Sequence, residues 1–266
     1  MDWLDFERIA GLGNSGRIED AIRESQMLLA ETTDTNEKAA LLTGVHVSYC
    51  ELGRLVEARQ TLVQLQHLEM PDRGIRLNVE FCEPTLLIQE GRNEEGISAF
   101  VAMLDRRCEA LKEPQFRYLY EDIQCRLAVA LTSISRFKEA LPILREAISF
   151  SFDDEAANDQ RIHFSLGICL EETNEPEAAK QEFIRVVSFG LKNEVEEQAL
   201  YGLALLHYKI GAFAQATQQL ETILRDFPNQ NPAVPRKQVY EGLSRTYRHL
   251  GDKANEKLYL DLARKL

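Results

Sequence analysis

Apolar side chains recur every three or four residues along nearly the whole chain. Ile162, Leu166 and Leu170 share one face of one stretch, and Ala179, Phe183 and Val186 share a face of the next. That spacing is the period of an amphipathic α-helix packed on one side. No run alternates apolar and polar residues between turn signals, so no strand is predicted. Between the helical stretches a short mark returns: a Gly, Ser or Asn, a few residues, then an acidic residue beside an alanine. It reads Gly16-Arg17-Ile18-Glu19-Asp20-Ala21, Gly53-Arg54-Leu55-Val56-Glu57-Ala58, Gly91-Arg92-Asn93-Glu94-Glu95-Gly96 and Ser135-Arg136-Phe137-Lys138-Glu139-Ala140. Three more begin at Asn174, Gly211 and Gly251. Successive marks stand 37 to 44 residues apart. Seven marks at near-constant spacing are internal repeats, and repeats decide the fold class.

The residues between the marks carry a second pattern. The fifth unit holds Leu166-Gly167 and Leu170, then Ala179 and Phe183. The sixth holds Leu200, Leu203-Ala204, Ala216 and Leu220, closed by Asp226-Phe227-Pro228. The seventh reads Tyr240, Leu243-Ser244, Tyr247. The small residues (Ala128, Gly167, Ala204, Ser244) fall where two helices cross closely, and the Leu, Tyr and Phe fill the space around the crossing. In these residues the chain resembles the tetratricopeptide repeat family, a helix–turn–helix repeat of about 34 residues. The longer spacing resembles the family's long-repeat branches, such as kinesin light chains and peptide-sensing bacterial regulators. The resemblance implies an all-α, right-handed α-solenoid of about seven helical hairpins, taken as a single domain over residues 1–266. It weakens in unit one and in unit three, where Glu83-Pro84 replaces the Leu-Gly pair and Gly96 the alanine. Pro84 costs its helix about 3 kcal/mol, so a kink or an interruption is expected there. The breaker-rich stretch Phe227–Pro235 reads as an enlarged loop between hairpins six and seven, because a last repeat does not bury its apolar face alone.

Members of the family bind peptides or partner proteins in a concave groove lined by the first helix of each repeat, and the same role is implied here. Projection of the first helices separates a packing stripe from a second one. The second stripe, the candidate groove, comprises Asn78, Phe81, Arg126, Val129, Arg161, Phe164, Ile168, Gln198, Tyr201, Leu205, Tyr208, Arg245 and Arg248. Rings and guanidinium groups are what recognition surfaces favour. The same residues also suit packing between neighbouring repeats, and periodicity alone leaves both readings open. No consecutive trio of repeats supplies the carboxylate clamp of the family's chaperone-tail binders. The reading is a scaffold or adaptor holding a protein segment, and the alternative is a peptide-sensing receptor without its own effector domain.

Charge and chemistry refine this picture. The chain has 266 residues and a net charge of −12, which disfavours nucleic acid as a partner. Residues 151–200 hold 12 acidic and 4 basic residues, whereas residues 201–266 hold 6 and 10. A partner with an acidic segment is therefore expected at the C-terminal end of the groove. The five cysteines include no CxxC pair, and the five histidines form no metal or nucleophile signature, so no metal, cofactor or enzymatic activity is expected. Gly11-Leu12-Gly13-Asn14-Ser15-Gly16 fits GxGxxG on paper, but no strand precedes it, and a turn between helices is the expectation. The acidic start Met1-Asp2-Trp3-Leu4-Asp5 is unlike a signal peptide, and no apolar run reaches membrane length; a cytoplasmic protein is expected. Leu258, Tyr259, Leu260, Leu262, Ala263 and Leu266 spread around the last helix more widely than one packed face needs, and a homodimer through this end is expected.

Overall fold

A computed structural model describes residues 8–9, 11–12, 17–69, 72–149, 156–228 and 232–266. Among these residues every regular element is helical. Thirteen α-helices run in order: α1 Ile18–Glu31, α2 Thr35–Glu51, α3 Leu55–Gln66, α4 Arg73–Gln89, α5 Asn93–Leu111, α6 Arg117–Ser133, α7 Phe137–Ala147, α8 Ala156–Glu172, α9 Pro176–Ser188, α10 Glu194–Lys209, α11 Phe213–Asp226, α12 Arg236–Leu250 and α13 Lys253–Arg264. A short 3₁₀ turn, Pro114–Phe116, precedes α6. The GxGxxG stretch lies mostly outside the described residues. No described helix is long and apolar enough to cross a membrane.

The chain forms two compact units, residues 1–130 and 131–266. Helices pack on their sequence neighbours from α1 to α5 in the first unit and from α7 to α13 in the second, and first helices also touch one hairpin apart: α2 with α4 and α8 with α10. That is the hairpin-on-hairpin order of an α-solenoid.

The sequence marks are the turns of the hairpins. Gly53, Gly91, Ser135, Asn174, Gly211 and Gly251 all have left-handed φ, between 63° and 78°. One residue later the amide donates to the carbonyl five residues back, at 2.8–3.0 Å: Arg54 to Tyr49, Arg92 to Leu87, Arg136 to Leu131, Glu175 to Leu170, Ala212 to His207 and Asp252 to Tyr247. This bond ends one helix and aims the chain into the next. Arg17 makes the same bond to Leu12. After the turn, Arg54, Arg92 and Arg136 each place Nε 2.8 Å from the carboxylate three residues on, a local clamp at the start of the second helix. First helices begin differently, with Asp34, Asp72 and Asn193 capping α2, α4 and α10 through their side chains.

At each crossing a small residue admits a large one. Ala58, Ala140, Ala179 and Ala216 are fully buried. Phe183 of α9 is wedged against two glycines. A Cβ on Gly167 of α8 would lie 2.6 Å from its ring, and one on Gly202 of α10 would lie 3.0 Å from it. In the first unit the buried His46 ties three helices together, its ring nitrogens 2.9 Å from the Ala58 carbonyl oxygen and 3.2 Å from that of Cys82.

The interruption expected at Pro84 does not occur, because α4 runs unbroken from Arg73 to Gln89. The physical reason lies in the partner helix. Gly96 of α5 presses against this turn so closely that a Cβ there would meet Ile88 at 2.6 Å and the Pro84 carbonyl oxygen at 3.1 Å. The glycine that seemed a defect in the repeat pattern is the complement of the proline. Tight packing on the buried turn holds it helical. Phe227–Pro235 is anchored at both described ends: Phe227 and Val234 are buried in one apolar cluster with α10, α11 and α12. Its Ala233 amide donates to the buried Glu197 carboxylate at 3.0 Å, and Arg236 pairs with the same carboxylate at 3.3 Å.

Candidate functional site

The candidate residues fall on the first helices, and each unit presents its own set. In the first unit Phe81 is buried, its ring 5.7 Å from that of Phe100. Arg126 covers it, with the guanidinium 5.2 Å from the ring centre and Nε 3.1 Å from Asp122. Asn78 is half-buried; its amide nitrogen donates to the Gly74 carbonyl at 3.2 Å and lies 3.0 Å from the Tyr118 hydroxyl. Val129 is half-buried. Here the second stripe is largely occupied by its own packing. A wider cavity of about 320 Å³ opens between α4 and α5, lined by Arg73, Arg76, Arg106 and Arg107 with Glu80 and Asp105. Arg107 is already paired with Glu80, and Arg73 with Glu113.

In the second unit the stripe stays open. On α8, Arg161 is exposed and Phe164 and Ile168 are half-buried, with Phe164 5.9 Å from Phe183. On α10, Gln198 and Leu205 are exposed (Leu205 by 41%), while Tyr201 and Tyr208 are half-buried. The packing partners on that helix, Leu200, Leu203 and Ala204, are buried. The two stripes are thus physically distinct. A cavity of about 80 Å³ lies between α10 and α12 and brings together Tyr201, Leu205, Tyr208 and Arg245, over a floor of Ala204, Leu220 and Gly242. Burial holds the Tyr201 phenol above the usual tyrosine range, against the opposing pull of Arg245.

Other predicted residues lie apart from this cavity. Arg248 turns to α13, where its Nε meets Glu256 at 2.7 Å. Gln198 and the α8 residues line the same face without reaching the cavity wall. Leu220 was legible as a packing residue of the repeat, but its place under a cavity, and the parts played by Gly242 and His249, were not. His249 fixes the rim: its Nε2 lies 3.0 Å from the Tyr208 hydroxyl, and its ring stacks on Phe213 with centres 4.1 Å apart. A shortage of side-chain volume at Gly242 was the signal available for the cavity floor. At the far end of the unit, Leu258 and Leu266 are 50% and 69% exposed, Tyr259, Leu260 and Leu262 half-buried and Ala263 buried. Among the described residues no group of His, Cys, Asp or Glu is arranged to hold a metal.

The comparisons agree with this fold. Residues 198–229, which hold most of α10 and all of α11, match the tetratricopeptide repeat family model. The structure is similar to PilF of Pseudomonas aeruginosa, with a TM-score of 0.65 and 16% identity over 86% of this chain and 92% of that one. It is similar to the apo form of RapI, with a TM-score of 0.71 and 11% identity over 98% of this chain and 74% of that one. A tetratricopeptide repeat protein of Parabacteroides merdae superposes with a TM-score of 0.53 and 13% identity, over 98% and 91% of the two chains. At these identities the likeness speaks for the fold.

Proposed function

We propose that this chain, a tetratricopeptide repeat protein, is a scaffold that binds an extended segment of a partner protein on the first-helix face of its second unit. One observation carries the reading. On α10 Leu200, Leu203 and Ala204 of the packing stripe are buried and its His207 is half-buried, while the neighbouring stripe keeps an aromatic and aliphatic row accessible beside an open cavity. Apolar side chains left half-exposed in register, rimmed by Arg and Tyr, have the composition of a binding hot spot. A helical face of this kind gives a bound chain contact area, with pockets for selected side chains and polar groups at the rim. This is a binding role and calls for no catalytic group.

The reading is tested by placing a photo-reactive residue at Leu205 or at Ile184, an equally exposed aliphatic residue of α9. Cross-links to a protein partner in extract of the host are expected at 205 and not at 184. Cross-links at 184 alone would move the binding face to the second helices. The exposed Leu258 of α13 and Leu266 just after it support a second, smaller element of the same reading, self-association through that end. Light scattering is expected to show concentration-dependent dimers that Leu258→Glu abolishes, and a strict monomer at high micromolar concentration removes the idea.

A further inference from the structure

The open cavity has a physical origin that also says what fills it. Nine residues before the turn residue of hairpins six and seven stand two glycines, Gly202 and Gly242. Each receives a large side chain from the preceding second helix. Gly202 receives the Phe183 ring, which fills the slot; a Cβ there would be 3.0 to 3.3 Å from three ring atoms. Gly242 receives Leu220, whose two methyls would lie 2.9 and 3.5 Å from a Cβ there. The slot is built alike in both places, but the second filler is smaller. The difference is the cavity of about 80 Å³ over Leu220, Ala204 and Gly242, walled by Tyr201 and Leu205. Its floor is apolar, so water inside finds few hydrogen-bond partners and a hydrocarbon group displaces it favourably.

Two charged side chains line it, Arg245 and Glu241, and the arginine is only loosely held by the carboxylate. Arg245 stands at the rim, 64% exposed, and its nearest carboxylate, Glu241, is 3.9 Å away, at the limit of an ion pair. Arg161, exposed at the other end of the face, makes no ion pair among the described residues. The arginines nearby that serve the fold are held more closely: Arg236 to the buried Glu197 and Arg248 to Glu256. Between Arg161 and Arg245 lie Phe164 and Ile168 on α8 and Leu205 on α10, an apolar strip on two successive first helices with Arg245 on the third. Packed helices stand 8–10 Å apart, which puts the two guanidinium groups roughly 20 Å apart. An extended chain covers that with about six residues.

We infer that the face takes an extended acidic segment with one leucine-sized aliphatic side chain. That side chain enters the cavity over Gly242, a neighbouring carboxylate meets Arg245, and a second carboxylate about six residues away reaches Arg161. This rests on the binding face proposed above and adds the chemistry of its occupant.

Fluorescence polarisation with the full chain tests it, using three labelled peptides of roughly twelve residues matched to this spacing. One carries the leucine between two acidic clusters, one has alanine for the leucine, and one has lysines for the acids. The acidic leucine probe is expected to bind, the alanine probe about tenfold more weakly, and the lysine probe not measurably. Arg245→Glu should abolish the preference for the acidic over the lysine probe. Leu220→Phe combined with Ala204→Gly reproduces the Phe183–Gly167 crossing, fills the cavity, and should erase the leucine preference while the acidic probes still bind. The exposed Arg245→Glu keeps the test decisive should that double variant fold poorly. Equal binding of the leucine and alanine probes, or lysine binding as tight as acidic, overturns the inference. So does the absence of binding by every probe. Cross-linking at Leu205 that persists in that case leaves the binding face standing and removes the ligand chemistry alone.

Discussion

Exchanging the crossing residues of hairpin five for those of hairpin six measures how the repeats are held together. Gly167 and Phe183 occupy the positions that Ala204 and Leu220 occupy one hairpin later, and the latter pair is buried in one cluster. Gly167→Ala alone drives a methyl to 2.6 Å from the Phe183 ring. Overpacking of this kind costs about 1–3 kcal/mol, and the gain of about 1 kcal/mol for alanine over glycine in a helix offsets part of it. A net loss of about 1 kcal/mol follows. Phe183→Leu alone removes ring atoms that touch Gly167 and Gly202, leaving a void at about 1–2 kcal/mol. In the double variant the alanine methyl occupies the space the ring vacates. The two losses then fail to add, with a favourable coupling on the order of 1–2 kcal/mol. The assay is urea unfolding of the four proteins followed by circular dichroism, with m-values checked for constancy. Additive losses, within about 0.4 kcal/mol, would refute the claim that these two side chains share one packing site.

The left-handed turn residues make a second prediction. Ser135→Gly should stabilise the protein by about 1 kcal/mol and Asn174→Gly by less, since asparagine tolerates this conformation better, whereas Gly211→Ala should destabilise; thermal melts decide. Thiol chemistry should be confined to Cys108. It is exposed, while the other four cysteines are buried, and burial raises the Cys50 thiol to about 11 and that of Cys82 to about 12. Ellman's reagent is expected to consume a single thiol quickly in native protein, and rapid reaction of two or more contradicts the burial. His46 supplies a pH signature. Burial lowers its pKa below the usual histidine value, so the unfolded chain binds the proton first; the stability is whole above about pH 6.5 and is lost as pH falls toward the folded value. Melting temperature should fall more steeply between pH 6.5 and 5 in the wild type than in His46→Gln, and parallel slopes would count against this assignment.

Much of the fold was readable because the features that make it are local. A left-handed residue, the bond five residues back and a small residue at the crossing all leave their mark within one hairpin, so even Ser135 and Asn174 could be placed from spacing. What escaped depends on pairs of residues far apart in sequence. Pro84 reads as a helix breaker until Gly96 is seen pressed against its carbonyl. Phe81 and Phe164 occupy matching positions in their hairpins, yet Arg126 covers the first ring, and periodicity carries no record of that. Arg248 pointed to the same face as Arg245 in projection, but Glu256 on α13 draws it away. The cavity is a difference in volume between Phe183 and Leu220 against two like glycines. Hydrophobic patterning scores both as apolar, so it passes over the one place where the packing leaves room.

The central claim is that the second-unit face binds while the neighbouring stripe packs, and one paired measurement on α10 separates the two. Leu205→Glu and Leu203→Ala are compared for melting temperature and for affinity toward the partner segment identified by cross-linking at position 205. Leu205→Glu should melt within about 2 °C of the wild type, as an exposed change costs about 0.5 kcal/mol, and should lose at least about tenfold in affinity. Leu203→Ala should lose about 2–5 kcal/mol of stability and, where still folded, keep its affinity. A Leu205→Glu protein that binds normally, or that melts as early as Leu203→Ala, would show that this row belongs to the core and that binding lies elsewhere.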